Sequence, residues 1–147
     1  IKVQIKKIKD NAILPHYAHE GDAGLDLYST ENYLLKPGDR VLVSTGIKIA
    51  IPKGYEAQVR PKSGLALNHG LTVLNTPGTI DSGYRGEVGV IVINLGKEEV
   101  KIEKGKKVAQ MVFSKVEEAE FVEEELNDTK RGAGGFGSTG IKHHKKC

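Results

Sequence analysis

The apolar residues of the chain mostly fall on alternate positions, the pattern of a strand with one buried face. Ile1, Val3 and Ile5 begin it. Val41 and Val43, then Ile47, Ile49 and Ile51, keep one parity over eleven residues, and Tyr55, Ala57 and Val59 repeat it. From Val88 to Leu95 the run VGVIVINL is nearly continuous, which predicts a strand covered on both faces. Turn signals separate these runs: KPGD at 36–39, PKG at 52–54, TPG at 76–78, LGKE at 95–98 and EKGK at 103–106. Many short strands with frequent turns predict an all-β sandwich or barrel. One short helix fits, in GLALNH after Ser63, with that serine as N-cap. Residues 115–126, KVEEAEFVEEEL, hold six Glu, with Ala119, Val122 and Leu126 at helical spacing. Val116, Phe121 and Val122 form no helical stripe, so a short strand around Phe121 followed by an acidic linker is expected there.

Length and charge narrow the classes of function. A chain of 147 residues has room for one domain and a tail. Lys and Arg number 22 against 19 Asp and Glu, and Lys142, Lys145 and Lys146 account for the whole excess of three. The body is neutral, which argues against broad electrostatic binding to nucleic acid or membrane. No apolar run approaches the length of a membrane span and none follows a basic start as in a secretory signal, so a cytoplasmic protein is expected. The chain starts at Ile1 and not Met, which leaves a removed leader open. Cys147 is the single cysteine, so neither an internal disulfide nor a cysteine zinc cluster is available.

The chemistry begins with RGAGGFGSTG, residues 131–140, where five glycines surround one Arg, one Phe, one Ser and one Thr. A flexible linker has much of this composition, but it has no use for the central Phe or the leading Arg. Glycines let backbone N–H groups converge on an anion, hydroxyls add donors, and a guanidinium grips phosphate bidentately. The Lys of a GxxxxGK[ST] loop is missing, so the common nucleotide-binding loop is not matched.

Three more clusters stand out. RPKSGLA, residues 60–66, puts Lys62 and Ser63 before a glycine at the expected helix start, where an anion and a plain N-cap are both at home. DAGLDLY, residues 22–28, carries Asp26 in an apolar strand-like run. Such a carboxylate must be paired, metal-linked or on an outer face, the last being the ordinary case. TIDSGYRG, residues 79–86, sets Asp81 in a turn, where aspartates usually cap their own backbone.

Taken in order, DAGLDLYS, RPKSGLA, LNTPGTIDSGYRGEVGVIVIN, GKKVAQMVF and RGAGGFGSTG resemble the five motifs of the trimeric dUTPases, the dUTP nucleotidohydrolases, from about Ala18 to Gly140. The resemblance implies an all-β, jelly-roll-like domain over residues 1–126 with a flexible arm over 127–147, assembled as a homotrimer with shared active sites. It implies hydrolysis of dUTP to dUMP and pyrophosphate with Mg²⁺, limiting uracil in DNA and supplying dUMP. Asp81 corresponds to the aspartate that activates the attacking water, and Asp26 to the one that holds the metal-bound water shell. Lys62, Ser63, Gly64, Gln110, Arg131, Ser138 and Thr139 correspond to phosphate-binding positions. Asn75, Gly78, Thr79 and Ile80 belong to the hairpin that reads uracil, Tyr84 to the ring under the deoxyribose, and Phe136, between Gly135 and Gly137, to the ring that closes over the base. Lys62 and Lys107 stand where the family more often has Arg, and a lysine lacks the planar fork that grips phosphate.

Two rivals share these motifs. A dCTP deaminase of the same superfamily is expected to carry a glutamate where Ile91 stands, and an apolar residue cannot do that acid–base work. A non-catalytic nucleotide-binding member would be expected to lose the base or the metal carboxylate, yet Asp81 and Asp26 are both present.

Overall fold

The computed structural model describes residues 1–143; residues 144–147, with His144 and Cys147 of the basic tail, lie outside the described residues. Ten strands and one helix run in the order β1 (Gln4–Lys7), β2 (Leu25–Tyr28), β3 (Tyr33–Leu35), β4 (Arg40–Ala50), β5 (Tyr55–Arg60), α1 (Ser63–His69), β6 (Leu71–Val73), β7 (Gly78–Ile80), β8 (Glu87–Asn94), β9 (Val100–Ile102) and β10 (Lys107–Lys115). They form two four-stranded sheets, β1-β4-β8-β6 and β2-β10-β5-β7, and a small β3-β9 sheet. Every strand pair is antiparallel. The apolar parities read from the sequence meet between the layers: Val43, Ile47, Ile49, Val88, Val90 and Val92 from one sheet, Leu27, Ala57, Val59, Ile80 and Met111 from the other. This is the expected all-β, jelly-roll-like sandwich.

The long strand β4 keeps its parity across an irregularity. Ser44 faces Gly89 and Lys48 faces Glu87, so four steps along β4 match two along β8. An insertion of two residues is even, which leaves Val43, Ile47 and Ile49 on the same side, whereas an odd insertion would turn one half outward. The Glu87 carboxylate fills the opening, accepting from Gly46 N at 2.8 Å and from Ser44 Oγ at 2.5 Å. Gly46 sits there at φ 70°, and a Cβ on it would lie 2.9 Å from both Ala12 Cβ and Thr30 Cγ2.

Four expectations need correction. Val88, Val90, Val92 and Asn94 of β8 are buried, but Gly89, Ile91 and Ile93 are only half-buried. Two layers cover one face of β8, and the other stays open beside Leu42, which is 64% exposed. At the N-terminus Ile1 and Ile5 are exposed, and β1, an edge strand, buries none of its residues. The N-cap of α1 is Lys62 with no side-chain cap bond, and the helix starts at Ser63, one position earlier than expected. Residues 116–126 form neither helix nor strand; Phe121 is 95% exposed and no sheet edge of this chain reaches it. A strand needs a neighbour, which a local pattern does not supply.

Gly46→Ala is expected to lower unfolding stability by about 2–4 kcal/mol, from strain at positive φ plus displaced neighbours. Gly38→Ala, at φ 87° with nothing within 4 Å of the new methyl, should cost only the strain, about 1–2 kcal/mol. Urea denaturation at matched protein concentration compares them, and equal losses would show that the β4 opening has room for a side chain.

Candidate active site

The first cluster is centred on Asp26, and it reverses the ordinary reading of that residue. Its side chain is buried, with Lys62 Nζ 2.5 Å from Oδ1 and Lys107 Nζ 3.0 Å from Oδ2. Sheet register assembles this group. Asp26 faces Gln110 across β2–β10, and Gln110 faces Arg60 across β10–β5, so the segment leaving β5 starts beside Asp26. Gln110 Nε2 donates to Pro61 O at 3.0 Å and fixes that segment just ahead of Lys62, Ser63 and Gly64. Gly24 leaves room for that side chain, since a Cβ on it would lie 2.2 Å from Gln110 Oε1 and the amide would have to shift.

Burial pushes the Asp26 carboxyl up, but its contacts with Lys62 and Lys107 outweigh that and hold it below the usual carboxylate range. The same contact raises Lys107. The two lysines that depart from the family pattern therefore meet on one carboxylate. The sequence singled out both lysines as standing where the family more often has Arg, but neither as a partner of Asp26. Among the described residues no group of three or more His, Cys, Asp and Glu could cage a metal. One carboxylate fits a Mg²⁺ ion that keeps its own waters and is held chiefly by phosphate oxygens.

The second cluster is a cavity of about 330 Å³ lined by Asn75, Gly78, Thr79, Ile80 and Tyr84 together with Leu42, Ser44, Glu87 and Ile91. The expected base-reading residues thus share one concave, half-apolar pocket, the usual form of a small-molecule site. Tyr84 is half-exposed and its hydroxyl donates to Glu87 O at 2.8 Å. Gly86 lies under that ring, where a Cβ would meet Tyr84 Oη at 2.3 Å. Ile91 lines the pocket and presents no acid to it, as the argument against deaminase chemistry required. Glu87 does line it, a residue that the sequence did not single out, but its carboxylate is bound to Ser44 and Gly46.

Asp81 is in neither cluster. It follows β7 at the sheet edge, exposed, in a cleft with Lys53, Tyr55, Glu56 and Ser82. Ile80 faces Ala57 on β5, while Asp26 lies in the row of Gln110 and Arg60. Asp26 and Asp81 are therefore three strands apart and offset by about four residues along them. At about 4.8 Å per strand and 3.3 Å per residue this separates them by roughly 20 Å within one chain.

The third group, the Gly-rich arm, runs as successive turns: Gly134 N bonds Arg131 O, Ser138 N bonds Gly135 O and Gly140 N bonds Gly137 O. Arg131 Nε is spent on Gly134 O at 2.9 Å, and Phe136 is fully exposed at φ 48°. Neither is brought to the pocket or to Asp26 in this chain. Ser138 and Thr139 are exposed as well. His16 and His19 are exposed, the former stacked on Tyr28 with ring centres 5.7 Å apart.

Because its pairing depresses the Asp26 carboxyl, that pairing stabilises the fold above the ordinary carboxylate range and is lost as pH falls through the lowered value. Metal-free Asp26→Asn should melt lower than the parent at neutral pH, and the gap should close on acidification below about pH 4. A gap that stays constant with pH would mean that the carboxylate charge is not what the lysines stabilise.

Comparison with known proteins shows the family. The family model described as dUTPase matches residues 10–140. The deoxyuridine 5'-triphosphate nucleotidohydrolase of Clostridium novyi is 59% identical over 146 residues, covering 96% of this chain and all of that protein. The enzyme of the same name from Clostridium kluyveri is 60% identical over 141 residues, covering 95% and 99%. Among solved structures, a point mutant of the Staphylococcus bacteriophage 80alpha dUTPase with dUpNHpp superposes with a TM-score of 0.86 at 28% identity, covering 95% of this chain and 99% of that one. Matched along nearly its whole length in sequence and in fold, the chain belongs to the dUTPase family of nucleotide hydrolases.

Proposed function

We propose that this protein hydrolyses dUTP to dUMP and pyrophosphate with Mg²⁺, in a homotrimer whose active sites are shared between copies. The observation that carries the shared site is the separation of Asp26 from Asp81. A water-activating carboxylate must lie within hydrogen-bond reach of its water, and a group roughly 20 Å away along the sheet cannot serve the same phosphorus. Asp81 and the pocket around Asn75 and Tyr84 then come from one copy, and Asp26 with Lys62 and Gln110 from another. The open outer face of β4 and β8, with Leu42, Ile91 and Ile93, is apolar surface of the kind that a second copy covers. The exposed Phe121, Val122 and Leu126 point the same way.

In this reading Asp81 takes the proton of the water that attacks the α-phosphorus, and pyrophosphate leaves. Lys62, Ser63, Gly64 and Gln110 receive the phosphate charge, as donors aimed where charge develops. Mg²⁺ supplies neutralisation of the triphosphate when bound, with Asp26 as the carboxylate facing its water shell. Asn75 and the backbone of 78–81 read the uracil edge, so cytosine would leave buried groups unpaired. Tyr84 packs on the deoxyribose and leaves no partner for a 2'-hydroxyl. Residues 127–147 act as a separate arm, whose Arg131, Ser138 and Thr139 reach the phosphates and whose Phe136 covers the base once substrate is in place. Five glycines in ten residues make such an arm dependent on the ligand's contacts for a single conformation. The dUMP formed would feed thymidylate synthesis, and removing dUTP would limit uracil in DNA.

Pyrophosphate release from dUTP, dCTP, dTTP and UTP in parallel, with products separated by chromatography, tests this. Release from dUTP alone, leaving dUMP, is expected; deamination of dCTP would overturn the case made from Ile91. Asp81→Asn should lower turnover by about 10²–10⁴ while dUMP binding persists. Turnover close to the parent's would remove Asp81 as the base.

A further inference from the structure

We propose that Lys107 is a positioning residue for the reaction: it keeps the buried Asp26 carboxylate paired when the substrate's phosphates draw Lys62 away. The inference rests on the dUTP reading above, and the chain's own geometry motivates it. Asp26 has two oxygens and each is taken by a different ammonium, Lys62 on Oδ1 and Lys107 on Oδ2. Lys62 is the N-cap residue of α1, two positions before the glycine expected to approach phosphate, and an anion bound there competes with Asp26 Oδ1 for its ammonium and can draw it away. Were it the only partner, that step would strand a buried carboxylate, among the costliest arrangements in a protein. The second ammonium removes the obstacle.

The sheet is built to bring Lys107 there. In β10 both Val108 and Ala109 are buried, and the register slips: Ala109 faces Leu27, but Tyr28 is faced by Lys107 and not Val108. Without the extra residue Lys107 would share the core-facing side of Ala109. The bulge turns it onto the face of Asp26 and Gln110, and bulges of this kind re-aim side chains beside functional sites. Lys107 keeps its stem along the sheet and its head on Asp26, with nearly half of the side chain still exposed. The 3.0 Å contact to a single oxygen uses Lys107 as a point charge, so an arginine can replace it.

Titration calorimetry in EDTA, with α,β-imido-dUTP and with dUMP as ligands, tests this without turnover or metal. Lys107→Met is expected to weaken the imido triphosphate about ten-fold or more, while dUMP, which lacks the β- and γ-phosphates that compete for Lys62, changes by less than about two-fold. Lys107→Arg should recover most of the loss. Because the effect runs through Asp26, adding Lys107→Met to Asp26→Asn should cost less than about two-fold further. Undiminished triphosphate binding by Lys107→Met, no recovery by arginine, or full additivity in the double variant, the sign of a direct phosphate contact, would each overturn the proposal. The Met and Arg variants decide it even where Asp26→Asn does not fold. A parent protein that binds neither ligand would instead sink the dUTP reading and this inference with it, an outcome distinct from failure at Lys107 alone.

Discussion

The pairing of Asp26 with Lys62 and Lys107 ties together three separate stretches of the chain. A buried carboxylate in a strand is tolerated only when its charge is matched, and the matching groups come from the segment after β5 and from the start of β10. They are brought there by the β2-β10-β5 order, the Gln110 contact to Pro61 and the slip at Val108. The residues expected to hold phosphate are therefore presented by an electrostatic arrangement that also helps hold the fold together. The same fact explains why two lysines serve where arginines are commoner: each makes one contact to one oxygen, and neither needs a fork.

The sheet register has a second consequence. It puts Asp81 and the β7 residues of the Asn75 and Tyr84 pocket at the opposite edge of the sheet from Asp26. A single chain so built holds the halves of a site facing different directions. The proposed association of copies would bring such halves together, and the apolar surface left open on β4 and β8 would give it a driving force.

Much of this was legible in the sequence, for physical reasons. Alternation is a local property, so Val43, Ile47, Ile49, Ala57 and Val59 declared their buried faces, and the even insertion at Gly46 left that reading undisturbed. Motif order identified the clusters around Asp26, Lys62 and Asn75. What stayed hidden depends on partners distant in sequence. Lys62 lies 36 residues from Asp26, and nothing local announces their contact. The bulge at Val108 has no turn signal, so Lys107 stood out only as a lysine at a position where the family more often has Arg, with no sign that it reaches Asp26. Phe121 satisfies a strand pattern but has no edge to join within the chain, and the apolar run of β8 anticipated a covered second face that one chain does not provide.

The central claim, that one site is assembled from two copies, is tested most directly by mixing two inactive variants. Asp81→Asn and Asp26→Asn are each unfolded, combined in equal amounts and refolded together, and dUTP hydrolysis is compared with each variant refolded alone. A site that takes Asp81 from one copy and Asp26 from another is intact whenever the first copy is an Asp26→Asn chain and the second an Asp81→Asn chain. Random assembly makes that so for about a quarter of sites. Recovery of roughly that share of parental activity is the predicted result; a mixture no more active than its two components would contradict the shared site.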